Sequence, residues 1–202
     1  VTSGTGVRPG GESASPRARA VEKTFTIGTI VFALCILFPG IKVLWTAHHS
    51  ATSDETFDTL AALARRKRIR PYIRQIRAGN GKQRILFTNG SRIMFGAREH
   101  GFGRGIPGVA IVVFDEAQIL DTKALEDMIA ATNQARHVHG ALLFFMGTPP
   151  RPTDPGDEFT NRRAKALSGK ADNMVYVEFS ADDDADPDDR GQWSKANPSY
   201  PQ

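Results

Sequence analysis

The sequence predicts an α/β domain built on a parallel sheet. Two wholly apolar runs carry this prediction, Val109 to Phe114 and Ala141 to Met146. Such runs are typical of strands that helices cover on both faces. Between them a helical pattern begins at Asp121 or Thr122, and strands that alternate with helices indicate a parallel sheet. The residues on the apolar side of that helix are Leu125, Met128, Ile129 and Thr132.

Three further elements precede these runs. Phe25 to Phe38 is apolar and predicts a buried helix that Pro39-Gly40 ends. Ile41 to Ala47 is short and partly β-branched, which favours a strand. Thr52, with Glu55 three residues later, predicts a capping box at the start of an amphipathic helix.

Asn89-Gly90 predicts a β-hairpin inserted into the sheet. The two residues separate Arg84 to Thr88 from Ser91 to Phe95, and Asn-Gly is strongly preferred in two-residue turns between antiparallel strands. The same Asn-Gly-Ser triplet matches a glycosylation sequon. Because the turn accounts for these residues, the sequon is not needed to explain them.

Two features bear on the cellular compartment. Cys35 is the single cysteine, which excludes an intrachain disulfide and favours a reducing, intracellular setting. Basic residues followed by the run Phe25 to Phe38 superficially resemble the start of a signal peptide. That run has fourteen residues, fewer than the roughly 20 that a membrane span needs. We therefore expect a cytoplasmic protein without a membrane partner.

The charged residues are distributed unevenly. The formal net charge is +4, but eleven basic residues and no acid lie between Thr59 and Arg98, whereas eight acids and no Lys or Arg lie between Ala171 and Asp189. A basic stretch suits the phosphate backbone of a nucleic acid, and it is equally typical of a solvated surface. Both interpretations remain open, and the acidic stretch has no assigned chemistry.

Two adjacent carboxylates, Asp115 and Glu116, directly follow the apolar run Ile111 to Phe114. Ligand sites in parallel sheets lie beyond the carboxyl ends of the strands. In a nucleotide hydrolase, an Asp at such a strand end holds Mg²⁺, usually through water, and the Glu orients or deprotonates the attacking water. The alternative is a helix cap that follows a buried strand.

Two other segments are candidates for contact with a nucleotide. Lys23-Thr24 is predicted to open the first helix, where backbone N–H groups favour phosphate. In a phosphate-binding loop the Lys reaches the β and γ phosphates and the Thr hydroxyl meets Mg²⁺, but the glycines of the full pattern are absent here. Gly147-Thr148-Pro149 follows the second apolar run and places a hydroxyl at a strand end.

Two further patterns do not indicate sites. Gly103 to Gly108 has the glycine spacing of a dinucleotide-binding loop, but it precedes a strand, and Pro107 prevents the helix that such a site needs. His48-His49 and His137-x-His139 each lack a third ligand at the spacing of a metal site. We expect a loop and paired surface histidines.

In their order along the chain, several motifs together resemble the ATPase half of a tailed-phage terminase large subunit. The resemblance covers Lys23 to about Pro201 and is far more specific as an ordered set than any one motif. The segments that carry it are Val43 to His49, Thr52 to Phe57, Gly101 to Gly105, Val113 to Gln118, Phe145 to Pro149, and Trp193 with Ala196-Asn197-Pro198.

The resemblance implies a fold, a reaction and partners. It implies an additional-strand P-loop ATPase domain whose cofactors are ATP and Mg²⁺, followed by a separate nuclease domain. The implied activity is packaging of double-stranded DNA into a procapsid in the cytoplasm of a bacterial host. The implied protein partners are a portal protein and a terminase small subunit.

The resemblance also implies roles for particular residues. Asp115 would be the Walker B aspartate associated with Mg²⁺, and Glu116 the catalytic glutamate. Lys23 and Thr24 would end Walker A, with the Thr24 hydroxyl on the metal, and Arg104 would reach toward the γ-phosphate. The coupling motif would be Gly147, Thr148 and Pro149, and the DNA-binding residues would be Arg65, Arg66, Lys67, Arg68 and Arg70.

The departures from the family's pattern predict an incomplete motor. Glu22 stands where the family's Walker A has a glycine, which adds a side chain and a negative charge beside the phosphates. Residues 1–22 contain no apolar run and are predicted to be a disordered or non-native tail, so the first strand of the sheet is expected to be lacking. The predicted divisions are this tail, an ATPase domain over residues 23–170 and an acidic linker segment over residues 171–202.

Two alternatives remain beside an impaired motor. A non-catalytic DNA-binding or assembly remnant of a prophage would keep the basic stretch and the fold, and the altered Walker A favours it. A different ATPase, such as a helicase-like protein, would share Asp115 to Gln118, but the segment Thr46 to His49 argues against it.

Overall fold

The computed structural model describes residues 16–79, 82–135, 140–186 and 188–197, without the side chains of residues 16–22. The chain divides into two compact units. One is Phe25–Tyr176 and contains the whole sheet, and the other combines the described residues of 1–24 with those of 177–202. The predicted domain limits stay predictions, and the predicted tail lies outside the described residues as far as position 15.

A six-stranded sheet forms the larger unit, in the order β2-β3-β4-β1-β5-β6. Strand β1 is parallel to β4 and β5, and β5 is parallel to β6, whereas β2, β3 and β4 form an antiparallel series. The predicted α/β class and the inserted hairpin are therefore confirmed. The strands are β1 (Lys42–Ala47), β2 (Ile73–Arg77), β3 (Arg84–Phe87), β4 (Arg92–Ala97), β5 (Ile111–Phe114) and β6 (Leu142–Phe145).

Five α-helices accompany these strands in the described part of the chain: α1 (Pro16–Leu37), α2 (Ser50–Ala64), α3 (Thr122–Thr132), α4 (Asp157–Leu167) and α5 (Arg190–Ala196). The sequence predicts α3 correctly, because Asp121 is its N-cap and accepts the backbone N–H of Ala124 at 2.6 Å. Helices α4 and α5 have no buried side chains. The sequence predicts neither of these two helices.

Helix α1 contains the predicted apolar run but is longer than that run. It buries one stripe, which includes Val31, Phe32 and Cys35, while Leu37 on the opposite side is 70% exposed. Burial raises the pKa of the Cys35 thiol to about 12, so this cysteine stays protonated at neutral pH. Among the described residues, no helix combines the length and the hydropathy required to cross a bilayer.

The two faces of the sheet bury two separate apolar clusters. Along β1 and β5, alternate residues point to opposite faces, as the two-residue period of a strand requires. Val43, Trp45 and Val113 pack with helices α1 and α2 in one cluster. Leu44 and Phe114 pack in the other cluster, to which α3 contributes Leu125 and Met128.

The predicted turn at Asn89-Gly90 connects β3 to β4, so that prediction is confirmed. Gly90 has φ +89°, a left-handed conformation that favours glycine. The Asn89 amide donates hydrogen bonds to the carbonyl oxygens of Cys35, at 2.8 Å, and Ile36, at 3.2 Å. The hairpin therefore also satisfies carbonyl groups at the carboxyl end of α1, which have no partner within the helix.

The smaller unit contains most of the acidic stretch, from Val177 onward. Asp182 accepts hydrogen bonds from Lys195 Nζ at 2.6 Å and from Gln192 Nε2 at 2.9 Å. The bond from Lys195 is the main cause that lowers the pKa of this exposed carboxyl group. Trp193 lies on α5 and is 37% exposed, whereas Pro198 lies outside the described residues.

Candidate active site at the carboxyl ends of β1, β4 and β5

The carboxyl ends of three adjacent parallel strands bring two of the three predicted catalytic residues, Asp115 and Glu116, to one edge of the sheet. Asp115 directly follows β5, and its backbone N–H donates to the carbonyl oxygen of Thr46 in β1 at 2.8 Å. Glu116 comes next and is half-buried, as Asp115 is. The sequence prediction that places both carboxylates at a buried strand end is confirmed by this arrangement.

The carboxylate of Glu116 is held at the amino end of helix α2. Its Oε2 atom accepts the backbone N–H of His48 at 3.1 Å, and its Oε1 atom accepts the Thr52 hydroxyl at 3.3 Å. A side chain that projects from β5 is thus oriented by the segment that follows β1. The carboxylate has a defined direction instead of rotating freely in solvent.

The predicted capping box at Thr52 and Glu55 is wrong. Helix α2 begins at Ser50, and its N-cap is His49, which makes no side-chain capping bond. Thr52 therefore lies inside the first turn and uses its hydroxyl for Glu116. The physical reason is that carboxylates from other parts of the chain already lie at this helix end, where the N–H groups and the dipole favour negative charge.

Glu99 is the second of these carboxylates. It accepts the backbone N–H of Ser50 at 3.0 Å and the Ser50 hydroxyl at 3.1 Å, and it lies 3.2 Å from His49 Nδ1. The bond from the Ser50 amide is the largest of the causes that lower the pKa of Glu99 to about 2. Glu99 therefore substitutes for the capping side chain that His49 does not supply.

Glu116 has an unusual backbone conformation for a residue with a side chain. Its φ is 51° and its ψ is 47°, the left-handed region, which costs roughly 1–2 kcal/mol for residues other than glycine. Its backbone N–H donates to Asp115 Oδ1 at 3.0 Å. The two carboxylates are thus connected through a tight turn that surrounding contacts must stabilise.

Arg98 supplies some of those contacts, although the sequence placed it in the basic stretch. It directly follows β4, and it is only 8% exposed. Its Nη1 atom donates to the carbonyl and the hydroxyl of Thr46 at 3.0 and 3.1 Å, and its Nη2 atom donates to the carbonyl of Glu116 at 3.2 Å. Burial lowers the pKa of Arg98 to about 10, while Glu116 and Asp115 oppose that effect, so the guanidinium is charged at neutral pH.

The segment Gly147-Thr148-Pro149 meets the carboxylate loop through Gln118. The Oε1 atom of Gln118 accepts the backbone N–H of Thr148 at 3.3 Å. A Cβ atom on Gly147 would lie 2.6 Å from that same oxygen, so only glycine allows this approach without a shift of Gln118. The structure therefore joins the predicted coupling segment to the loop that carries Asp115 and Glu116.

Arg104 lies on the surface in the loop that precedes β5. Its Nε atom donates to Asp127 Oδ2 on α3 at 2.7 Å, and its side chain is 61% exposed. An ion pair at this exposure contributes little to stability. The predicted role of Arg104 toward a phosphate stays a prediction.

Lys23 and Thr24 do not open a helix as the sequence predicts. Helix α1 begins at Pro16, so both residues lie in its interior, where backbone N–H groups bond to carbonyls four residues earlier. These amide groups contact a phosphate only where the helix opens at this point, and a glycine at position 22 would favour that opening because glycine has a low helix propensity. Lys23 and Thr24 belong to the smaller compact unit, and their contact with a nucleotide stays a prediction.

The residues predicted to bind DNA form an exposed basic patch at the carboxyl end of α2. Its members are Arg65, Arg66, Lys67, Arg68 and Arg70, and each is exposed. Cations are also favourable at this position because the helix dipole is negative there. The structure is consistent with either interpretation of the basic stretch, except that Arg98 is buried in the site and does not belong to the surface patch.

In the described part of the chain, no three His, Cys, Asp or Glu side chains are grouped as metal ligands. The rings of His48 and His49 lie edge to face with centroids 4.4 Å apart, and His137 and His139 fall outside the described residues.

Neither a protein-family model nor a curated protein matches the sequence. Solved structures do match the fold. The crystal structure of the HK97 bacteriophage large terminase superposes with a TM-score of 0.74 at 16% sequence identity, over 90% of this chain and 38% of that one. The Thermus phage P74-26 large terminase ATPase domain superposes with a TM-score of 0.52 at 15% identity, over 65% of this chain and 57% of that one.

The chain has the fold of a large terminase ATPase domain. The resemblance that the ordered motifs predict is thereby confirmed at the level of the fold. The chain spans less than two thirds of either terminase chain. Identities of 15 to 16% establish the fold alone, so the roles of individual residues depend on the geometry described above.

Proposed function

We propose that the chain is the ATPase part of a phage DNA-packaging terminase large subunit, in which Mg-ATP hydrolysis drives translocation of double-stranded DNA. One observation carries the proposal. The Glu116 carboxylate stands beside Asp115 at a buried strand end and is oriented by the His48 amide and the Thr52 hydroxyl. A general base must be held in a defined direction to take a proton from an attacking water.

The two carboxylates fit Mg²⁺ as it is bound with a nucleotide. Mg²⁺ keeps several waters and uses one or two carboxylates together with substrate phosphates, so it does not need a cage of protein ligands. Asp115 is the residue assigned to the ion and Glu116 the residue assigned to water activation. When present, the ion would neutralise charge on the phosphates.

The proposed coupling runs through Gln118. This side chain joins the carboxylate loop to the Thr148 amide, so a displacement of either segment alters a contact of the other. Gly147 permits that contact because it has no side chain. We assign Gly147, Thr148 and Pro149 to the step that connects hydrolysis with movement.

Double-stranded DNA is the proposed substrate of translocation, and the exposed patch from Arg65 to Arg70 is its proposed contact. Five cations without a neighbouring acid suit a phosphate backbone that is bound without sequence preference. A motor of this kind acts with a portal protein and a terminase small subunit in the cytoplasm of a bacterial cell, and these are the proposed partners and location.

Catalysis is proposed to be impaired in this chain. Glu22 places a carboxylate where a phosphate-binding loop needs glycine, and the amides of Lys23 and Thr24 lie within a continuous helix. The same observation favours the second candidate function, a non-catalytic DNA-binding or assembly remnant of a prophage. The two candidates differ in whether removal of the Glu22 carboxylate restores nucleotide binding.

The test measures binding of a fluorescent ATP analogue in the presence of Mg²⁺. We expect weak binding by the native chain, tighter binding by Glu22→Gly, and loss of that gain when Lys23→Ala is added. Lys42→Ala is the matched control, because Lys42 Nζ donates to the carbonyl of Pro107 at 2.7 Å, at the opposite ends of the strands. If Glu22→Gly binds no better than the native chain, the motor proposal fails and the non-catalytic remnant is favoured.

A further inference from the structure

The basic stretch contains one arginine that differs from all its neighbours. The patch residues Arg65 to Arg70 are exposed, as are Arg74 and Arg77, whereas Arg98 is 8% exposed. A guanidinium cannot be deprotonated under ordinary conditions and is costly to bury unless its donors are used. The partners of Arg98 therefore show what compensates the cost.

Those partners connect the ends of three strands. Arg98 extends from the end of β4 and bonds Thr46, in β1, through Nη1, and it bonds the carbonyl of Glu116, beyond β5, through Nη2. Thr46 in turn accepts the Asp115 N–H and donates its hydroxyl to the Val113 carbonyl at 3.1 Å. One planar fork thus fixes the relative positions of the segments that carry both carboxylates.

The contact with Glu116 is made to the backbone and not to the carboxylate. Because φ at Glu116 is positive, the residue tends to leave this conformation unless neighbouring groups stabilise it. A change of φ at Glu116 would rotate the side chain away from the His48 amide. The bond from Arg98 Nη2 opposes that rotation.

We infer that Arg98 is a positioning residue, whose guanidinium holds the backbone turn at Glu116 and thereby directs the Glu116 carboxylate toward the His48 amide. The catalytic importance of this contact rests on the proposed function. The position of the Glu116 carboxylate can nevertheless be tested without measuring ATP hydrolysis. Lysine is not equivalent to arginine here, because a single ammonium group does not reproduce a planar fork that reaches two carbonyls.

The test reads the hydrogen bond between the His48 amide and Glu116 by NMR. With ¹⁵N-labelled histidine, the chain has five histidine backbone signals, and Glu116→Ala defines the His48 signal in the absence of the carboxylate. In Arg98→Lys, we expect the His48 proton signal to move upfield toward its Glu116→Ala position while the fold persists. Arg162→Lys, a change at a partly buried arginine of the same compact unit, is expected to leave the His48 signal unchanged.

A folded Arg98→Lys chain with the native His48 signal would overturn the inference. If neither Arg98→Lys nor Arg98→Gln folds, the native chain labelled at arginine decides. A guanidinium fixed between Thr46 and Glu116 gives separate, slowly exchanging Nη–H signals, whereas one averaged signal for a freely rotating group contradicts the role. Failure of ATP binding in Glu22→Gly would reject the proposed function and leave this positional result unaffected.

Discussion

The two edge strands of the sheet carry opposite surface chemistry. On β2, Arg74, Gln75 and Arg77 are exposed and only Ile73 is buried. On β6 all four residues are apolar, and none is fully buried. Charged side chains on an edge strand hinder the addition of a further strand, whereas an apolar edge favours it.

The comparison shows that the two edges suit different neighbours. Along the sequence, β2 follows the basic patch that begins at Arg65. Its exposed arginines suit contact with water or with a polyanion. The β6 edge leads directly into Gly147 and Thr148 at the candidate active site. An apolar strand in that position has the pattern of an interior strand.

The largest expected effect concerns DNA at the basic side. We expect the combined change of Arg65, Arg66 and Arg68 to Ala to lower the slope of log K against log salt by about 2.7, since each lost phosphate contact removes about 0.9. Between about 50 and 200 mM salt, the native chain should then lose about fortyfold more affinity than the variant. Fluorescence anisotropy with duplex DNA measures both.

The control for this prediction removes three exposed cations elsewhere, at Arg151, Lys165 and Lys170. It has the same change in net charge but lies outside the basic patch. Equal losses in the two triple variants would show that binding follows net charge, and the patch would then be an ordinary solvated surface.

A smaller effect is expected at the apolar edge. Leu142 is 44% exposed on β6, and we expect Leu142→Lys to weaken self-association of the chain by about tenfold or more, because burial of a leucine side chain contributes roughly 1.5–3 kcal/mol. Sedimentation velocity over a range of protein concentrations measures the association. Leu167→Lys is the matched control, because Leu167 is 59% exposed and belongs to helix α4 and not to a strand.

If Leu142→Lys weakens self-association and Leu167→Lys does not, the apolar β6 edge is the surface through which the chains associate. This role of the β6 edge is contradicted if both variants, or neither of them, weaken self-association. In that case the apolar contacts between chains would lie elsewhere, for example at Val175, which is 93% exposed, or Phe179, which is 65% exposed.

The smallest effect is expected away from both edges. It concerns Glu99, the carboxylate that caps helix α2. The folded-state pKa of Glu99 is about 2, below its ordinary value of 4.5. A depressed carboxyl pKa stabilises the fold above the unfolded-state value, and this stabilisation is lost as pH falls from about 4.5 toward 2. We expect Glu99→Gln to flatten the acid side of the stability curve over that window, as measured by urea unfolding at a series of pH values. An unchanged curve would mean that the bond from Ser50 does not form in solution.

Much of the fold could be predicted because two of its parallel strands, β5 and β6, are apolar throughout. Val109 to Phe114 and Ala141 to Met146 have no polar alternation, so the sequence shows them directly. Strand β2 was not predicted, because its arginines conceal a strand that is stabilised mainly by pairing with β3. Such pairing between distant segments leaves no local signal.

The candidate site was predictable only in part for the same reason. Asp115 and Glu116 follow a recognisable strand, so their position could be inferred. Arg98 could not be distinguished from its basic neighbours, since its role depends on contacts with Thr46 and Glu116, which are distant in sequence. Thr52 matched a local capping pattern, but a carboxylate from another strand determined what its hydroxyl binds.

The most direct test of the account compares the two carboxylates at the amino end of α2. Mg-ATP hydrolysis is measured in the Glu22→Gly chain, alone and with Glu116→Gln or Glu99→Gln added. The account predicts measurable turnover that Glu116→Gln abolishes and Glu99→Gln preserves, because only Glu116 stands beside Asp115. Turnover that survives Glu116→Gln, or falls equally in both variants, would contradict the assignment of Glu116 as the catalytic base.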